Sequence, residues 1–201
     1  QYQYEEFVRL PKGTRLDAGA VALLPALAWD ELHLLALGAD DVHERHAGER
    51  LAAASAGAGV RVGALAAGAW PLESTHRGIL EVRRDALDAV NLVDGLCVYT
   101  LFDGQVVDRG EVVARAKIIP FAIEEATLAR GEREARDAGG VATVRPFHAM
   151  RVGAVVQESL GSRAMARFEE ALGEKVEWFG STLLPPAFVP PEADAIAGGI
   201  E

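Results

Sequence analysis

The chain has 201 residues, half of them hydrophobic, and a formal net charge of −10, with 20 Lys and Arg against 30 Asp and Glu. This length and apolar content can build a real core and exclude wholesale disorder. The acidic balance argues against a nucleic-acid partner, whose phosphates select the opposite sign, but leaves room for a small anion held by backbone N–H groups.

Residues 1–15 are polar and mixed and end in a PKG turn at Pro11 to Gly13. Asp17 is placed to cap a short helix through Leu24, limited by Pro25. The longest apolar stretch, Ala18 to Trp29, contains Pro25 and is too short to span a bilayer, so no membrane association is expected. With no signal-peptide pattern, a cytoplasmic location is the default. Glu31 to Leu37 (ELHLLAL) has the alternation of a strand, with His33 on its polar face. Gly38 to Asp41 is rich in breakers. Val42 to Ala56 should then be a helix capped by Asp41 and ended by Gly57, with Leu51, Ala52 and Ala54 inward.

From Gly59 to Ile119 the apolar period changes to two. The runs VRVGAL, GILEV, GLCVYTLF, QVV and EVVARAKII predict short strands separated by turns. Asp103-Gly104, between Phe102 and Gln105, has the composition of a two-residue type I′ hairpin, and Asp94-Gly95 marks another turn. Cys97, the one cysteine, sits in a run with the look of a buried strand and can form no internal disulfide, as suits a reducing compartment. Pro120 closes the β region. Ile123 to Ala138 combines strong helix formers and i,i+4 charge pairs with few large apolar residues, which predicts a solvated connecting helix capped by Gly139-Gly140. Val141 to Phe147 predicts a short strand that Pro146 turns into an edge.

The composition shifts near His148. An apolar run from Val152 to Val156, a polar loop from Gln157, a helical pattern and a second apolar run from Val176 to Leu184 predict a βαβ unit. Ser162 should cap its helix and Gly173 end it, with Met165, Phe168 and Leu172 on one buried face and Trp178 in the same small core. Pro190-Pro191 should lead into a short helix with Ala193, Ile196 and Ile200 inward. The expected fold class is therefore α+β. A mixed and β-rich region, 1–147, is followed by the start of an incomplete α/β domain, 148–201.

Three constellations could carry chemistry. In the cluster His43, Glu44 and His46, after Asp40 and Asp41, the two histidines are three apart and share a helix face that could hold a metal, or the cluster could be an ordinary charged first turn. Ser74, Thr75 and His76, in a loop WPLESTHRG, lack the strained elbow that activates a serine. Asp103 has a turn explanation that competes with an acid–base one. The strongest candidate is the loop after the first strand of the βαβ unit, where Gln157, Glu158, Ser159, Gly161, Ser162 and Arg163 precede a helix start. Free N–H groups and the helix dipole favour an anion there, and Arg163 can add a charge-assisted hydrogen bond. The competing explanation is an ordinary strand-to-helix turn without a G-x-G-x-x-G fingerprint.

Several stretches, taken together and in order, carry a resemblance. They are DELHLLALGADDVHERHAGERLAAASAGAGV, GILEVRRDALDAVNLVDGLCVYTLFDGQVVDRGEVVARAKIIPFAI and VRPFHAMRVGAVVQ. With Val42 to Glu44, Asn91, Thr100, Gly110 and Pro120 as its telling positions, this layout resembles molybdopterin-binding proteins related to molybdopterin molybdenumtransferase, which inserts molybdenum into its pterin cofactor. The resemblance runs from about Lys12 to the end. It implies an α/β domain that binds molybdopterin at the carboxyl ends of its parallel strands, in a protein of molybdenum-cofactor biosynthesis or handling. The alternative is a non-catalytic assembly, dimerisation or partner-binding module; a nucleotide- or sugar-phosphate-binding α/β enzyme is a third reading. Gln157, Glu158, Ser159 and Leu160 depart from the family's usual Thr or Ser, Gly and acidic residue at this place. A later glycine-rich acidic loop has no counterpart, so molybdate or Mg would need groups beyond those in hand. A two-stranded parallel sheet buries little by itself, and a homo-oligomer is expected.

Overall fold

A computed structural model describes residues 16–26, 34–157 and 160–200, and among these the chain is α+β. Asp17 caps helix α1 (Ala18–Leu23) as its sequence position implies, with Oδ1 accepting from the Ala20 N–H at 2.8 Å. Pro25 does not stop the chain at once but sits in a 3-10 turn over Leu24–Ala26. The PKG turn and the first part of the expected strand at Glu31, His33 included, lie outside the described residues. Leu34 to Leu37 are exposed and form no strand, and among the described residues no strand pairs with them.

Strand β1 (Asp41–His43) pairs antiparallel with β8 (Ala122–Glu124), and α2 (Glu44–Ser55) starts after it rather than at Val42. Asp41 does not cap this helix. Its carboxylate takes the Gly38 N–H at 2.7 Å, and His43 Nδ1 accepts from the Arg45 N–H at 3.2 Å instead. Leu51, Ala52 and Ala54 are buried as expected.

Four strands form one antiparallel sheet in the order β2 (Val60–Val62), β3 (Trp70–Ser74), β7 (Val112–Ile118), β5 (Leu96–Thr100). The stretch expected as a loop thus begins with strand β3. A second sheet runs β6 (Val106–Val107), β4 (Gly78–Val82), β9 (Ala142–Pro146), with β9 on its edge. Between the sheets the chain makes α3 (Arg84–Asn91), a helix that the alternating runs around it concealed; it buries Ala86 and Val90. Asn91, at its end, turns its side-chain amide onto β5, donating to the Val98 carbonyl at 2.9 Å and accepting from the Val98 N–H at 2.7 Å. The amide stands in for a neighbouring strand and seals that edge. Cys97 is half-buried on β5.

Asp103-Gly104 is a turn but not a hairpin. The strands on either side, β5 and β6, belong to different sheets. Only Gly104 has positive φ, at 79°, so the turn lacks the second left-handed residue of type I′. It is held from outside: Gly104 N–H donates to the Leu80 carbonyl at 2.8 Å, and Asp103 Oδ1 accepts from the Val82 N–H at 2.9 Å. A Cβ at Gly104 would meet nothing within 4 Å. Gly104→Val should therefore cost only the left-handed backbone penalty, about 1–2 kcal/mol. A urea midpoint unchanged from wild type would contradict this account of the turn.

Helix α4 (Glu125–Asp137) corrects another expectation. It is not a solvated connector but packs on α2 and α3, with Leu128 and Ala135 fully buried. Small residues allow this close approach: a Cβ at Gly131 would strike the Leu96 side chain. Gly139 and Gly140 do end the helix, Gly140 N–H donating to the Ala135 carbonyl at 2.9 Å.

The last segment is a parallel βαβ unit, as expected. Strands β10 (Arg151–Val152) and β11 (Val155–Val156) pair with β12 (Thr182–Leu183) and β13 (Ala187–Phe188) across helix α5 (Ser162–Trp178), and α6 (Ala193–Ile200) follows. Its details differ from the expectation. Gly173 lies inside α5, where strong helix formers on both sides outweigh a glycine cost of about 1 kcal/mol. The second strand starts at Thr182, since Val176 to Trp178 are still helical. Met165, Phe168, Leu172 and Ile196 are only half-buried, Ala193 is exposed, and Trp178 and Ile200 keep 42% and 74% of their surface. Two short strands give these side chains too little to lie against. Arg77 ties the unit to the body: its guanidinium donates to the Trp178 carbonyl at 3.0 Å, lies 4.5 Å from the Trp178 ring centre and pairs with Asp108. Phe147 packs against Trp178 and Phe179 at the same junction.

Candidate functional site

The loop after β11 leaves the carboxyl end of a parallel strand and enters the N-terminal end of the 17-residue helix α5. Gln157, Gly161, Ser162 and Arg163 are exposed there, while Glu158 and Ser159 lie outside the described residues. Gly161, not Ser162, is the N-cap. Its backbone is extended (φ −65°, ψ 153°), its carbonyl accepts from Ala164 and Met165, and among the described residues no side chain caps the first turn. Ser162 is already helical, so its hydroxyl is not placed to close that turn. The local dipole and upstream-facing amides favour an anion, and the Arg163 guanidinium stands one residue into the helix. Among the described residues no atom lies within 4 Å of a Cβ built at Gly161.

The other constellations resolve into structure. Ser74 is fully buried on β3, and its hydroxyl donates to the His76 carbonyl rather than meeting a base. The His76 ring is a staple: Nε2–H donates to the Val144 carbonyl at 3.1 Å, and Nδ1 lies 3.0 Å from the Thr75 hydroxyl. His43 Nδ1 is engaged by the backbone of its own helix start. Among the described residues no group of three or more His, Cys, Asp and Glu side chains is placed to hold a metal ion. Of the telling positions, Asn91 seals an edge, and Gly110 occupies a positive-φ turn at 84° whose N–H donates to Ser74. Pro120 lies beside Gly95.

The dominant electrostatic feature lies elsewhere, between α2 and α4, and was not legible as such in the sequence. Arg50 reaches both Glu125 oxygens at 2.6 and 2.7 Å and both Glu132 oxygens at 2.9 Å. Glu132 is only 3% exposed and also meets Arg136, one turn on. Hydrogen bonds from Arg50 hold both carboxylates below the ordinary range, against the desolvation that would raise them, and they raise Arg50 in turn. With every charge answered, this is a clamp between helices. An open cleft at the start of α3, lined by Glu81, Arg83, Arg84, Asp85 and Asp103, was also not foreseen, because α3 itself was not.

Comparison with protein-family models, with curated proteins and with solved structures finds no match.

Proposed function

We propose that this protein binds molybdopterin through the loop from Gln157 to Arg163 and acts in the biosynthesis or handling of molybdenum cofactor. The observation that carries the reading is the position of that loop. It stands at the carboxyl end of a parallel strand and the start of a long helix, the place where open α/β sheets take their ligands. The residues present fit one part of the pterin. Backbone N–H groups at a helix start and the exposed Arg163 are donors suited to its phosphate. Molybdopterin, once bound, supplies a dithiolene able to ligate molybdenum. The loop's task is to bind and orient, and no acid–base pair stands beside it among the described residues. Transferase-like catalysis, with molybdate or Mg, would call on further groups.

Anaerobic titration of the protein with molybdopterin tests the reading. Weak, saturable binding is expected, reduced about fivefold in Arg163→Ala, the equivalent of about 1 kcal/mol. No binding, or binding indifferent to that substitution, would overturn it.

A further inference from the structure

The sheet of β6, β4 and β9 meets the C-terminal end of α5. In that sheet Gly78 pairs with Val107 on one side and with Pro146 on the other. Continuing both registers by one residue puts Asp108, Arg77 and Phe147 in a single row just past the last ladder, on one face. The contacts agree with that placement. Arg77 Nε donates to Asp108 Oδ1 at 2.6 Å, and a second guanidinium N–H donates to the Trp178 carbonyl at 3.0 Å, with the guanidinium over the Trp178 ring. The Phe147 ring lies 6.0 Å from that of Trp178 and 5.1 Å from that of Phe179. Trp178 is the last residue of α5, so its carbonyl has no partner within the helix and a cation is favoured beside it. Among the described residues, every hydrogen bond and ring contact passing from the C-terminal unit to the body ends on this row. The chain crosses through residues 147–150, which have no secondary structure and are exposed from His148 onward.

We propose that this row is a latch: the C-terminal unit docks on the body and undocks from it by pivoting about residues 147–150, and Arg77 is the positioning residue that sets the docked state. The joint has the properties such a device needs. Its rings are engaged but part-wet, Trp178 and Phe179 keeping 42% and 46% of their surface. Its one ion pair, Arg77 with Asp108, is exposed and therefore weak. A small, partly polar joint between two units of one chain permits relative motion, where a large apolar one would prevent it. Arg77 holds the docked state through two contacts made at once, a hydrogen bond to the end of the helix and a cation over the ring. Asp108 keeps the guanidinium on the row from the other side.

The latch lies at one end of a lever. Helix α5 has 17 residues and is about 25 Å long, with the loop from Gln157 to Arg163 at its far end. Pivoting at Trp178 moves that loop relative to the body, so the latch governs how a ligand held there is presented. This consequence rests on the function proposed above, whereas the joint itself does not.

Limited chymotrypsin digestion of the 201-residue protein without ligand tests the latch independently of any pterin. Cleavage after Phe147 requires its ring to leave Trp178 and Phe179, so its rate follows the undocked population. Cleavage after Phe102, which is exposed on the body, serves as the internal reference. Arg77→Met should speed cleavage after Phe147 about fivefold, the scale of one exposed cation–ring contact, and leave cleavage after Phe102 unchanged. Trp178→Ala should also speed it. In that background Arg77→Met should add less than about twofold, because the ring that the cation engages is already gone. A rate after Phe147 unchanged in Arg77→Met, an equal rise after Phe102, or an effect of Arg77→Met undiminished in Trp178→Ala would each overturn the proposal. Absence of pterin binding with these rates as expected would instead count against the ligand reading alone.

Discussion

Arg50→Met should destabilise the protein by about 3–5 kcal/mol, the range for breaking a buried ion pair from one side. Glu132, at 3% exposed, would keep only Arg136, whose side chain is more than half exposed. The methionine fills most of the arginine's apolar volume, so the loss reports the stranded carboxylate rather than a cavity. Acidity gives a second readout. In the wild type Arg50 lowers the folded-state values of Glu125 and Glu132. A depressed carboxylate contributes stability fully above its unfolded value and loses it as pH falls through the lowered folded value. Wild-type stability should thus decline on acidification through and below the ordinary carboxylate range. In Arg50→Met that part of the pH dependence should flatten or reverse, because the buried Glu132 then resists ionisation. Chemical denaturation across acid pH checks both. A loss under about 1 kcal/mol, typical of an exposed pair, would show that the clamp is ornamental to stability.

Leu128→Ala carries the next largest effect, about 2–5 kcal/mol, as for other fully buried leucines. Leu128 is on α4 with no exposed surface, in the same core as Leu51, Leu72 and Val90. Were α4 a solvated connector, the substitution would be nearly neutral, since alanine is a good helix former. Thermal or urea unfolding separates the two outcomes by several standard errors.

The contrast in α4 shows what a sequence can and cannot disclose. Charge density along IEEATLARGEREARDA suggested a helix in water, yet two of its carboxylates face Arg50 and its glycine and alanines let it approach Leu96 and α2 closely. Small residues give a weak apolar signal even when they make a tight interface. Partners such as Arg50 and Glu132, 82 residues apart, are joined only by the fold. Short strands were easier to anticipate, because alternation is a local property: GILEV and GLCVYTLF became β4 and β5. Their partners were not, since Asp103-Gly104 looked like a hairpin and instead carries the chain from one sheet to the other. In the C-terminal unit the parallel pairing was legible, but the boundary of α5 was not. VEW has strand composition, and the helix simply continues through it. For the candidate loop, spacing gave the position between strand and helix, while the switch of N-cap from Ser162 to Gly161 depends on backbone angles that composition does not encode.

The functional account turns on where a ligand lands. Two-dimensional amide NMR of the protein under anaerobic conditions, with molybdopterin added stepwise, measures that directly. The account predicts progressive shifts concentrated at Gln157, Gly161, Ser162 and Arg163, fading within the first turns of α5. Shifts confined to the cleft at Arg83 and Arg84, or to the four-stranded sheet, would contradict it.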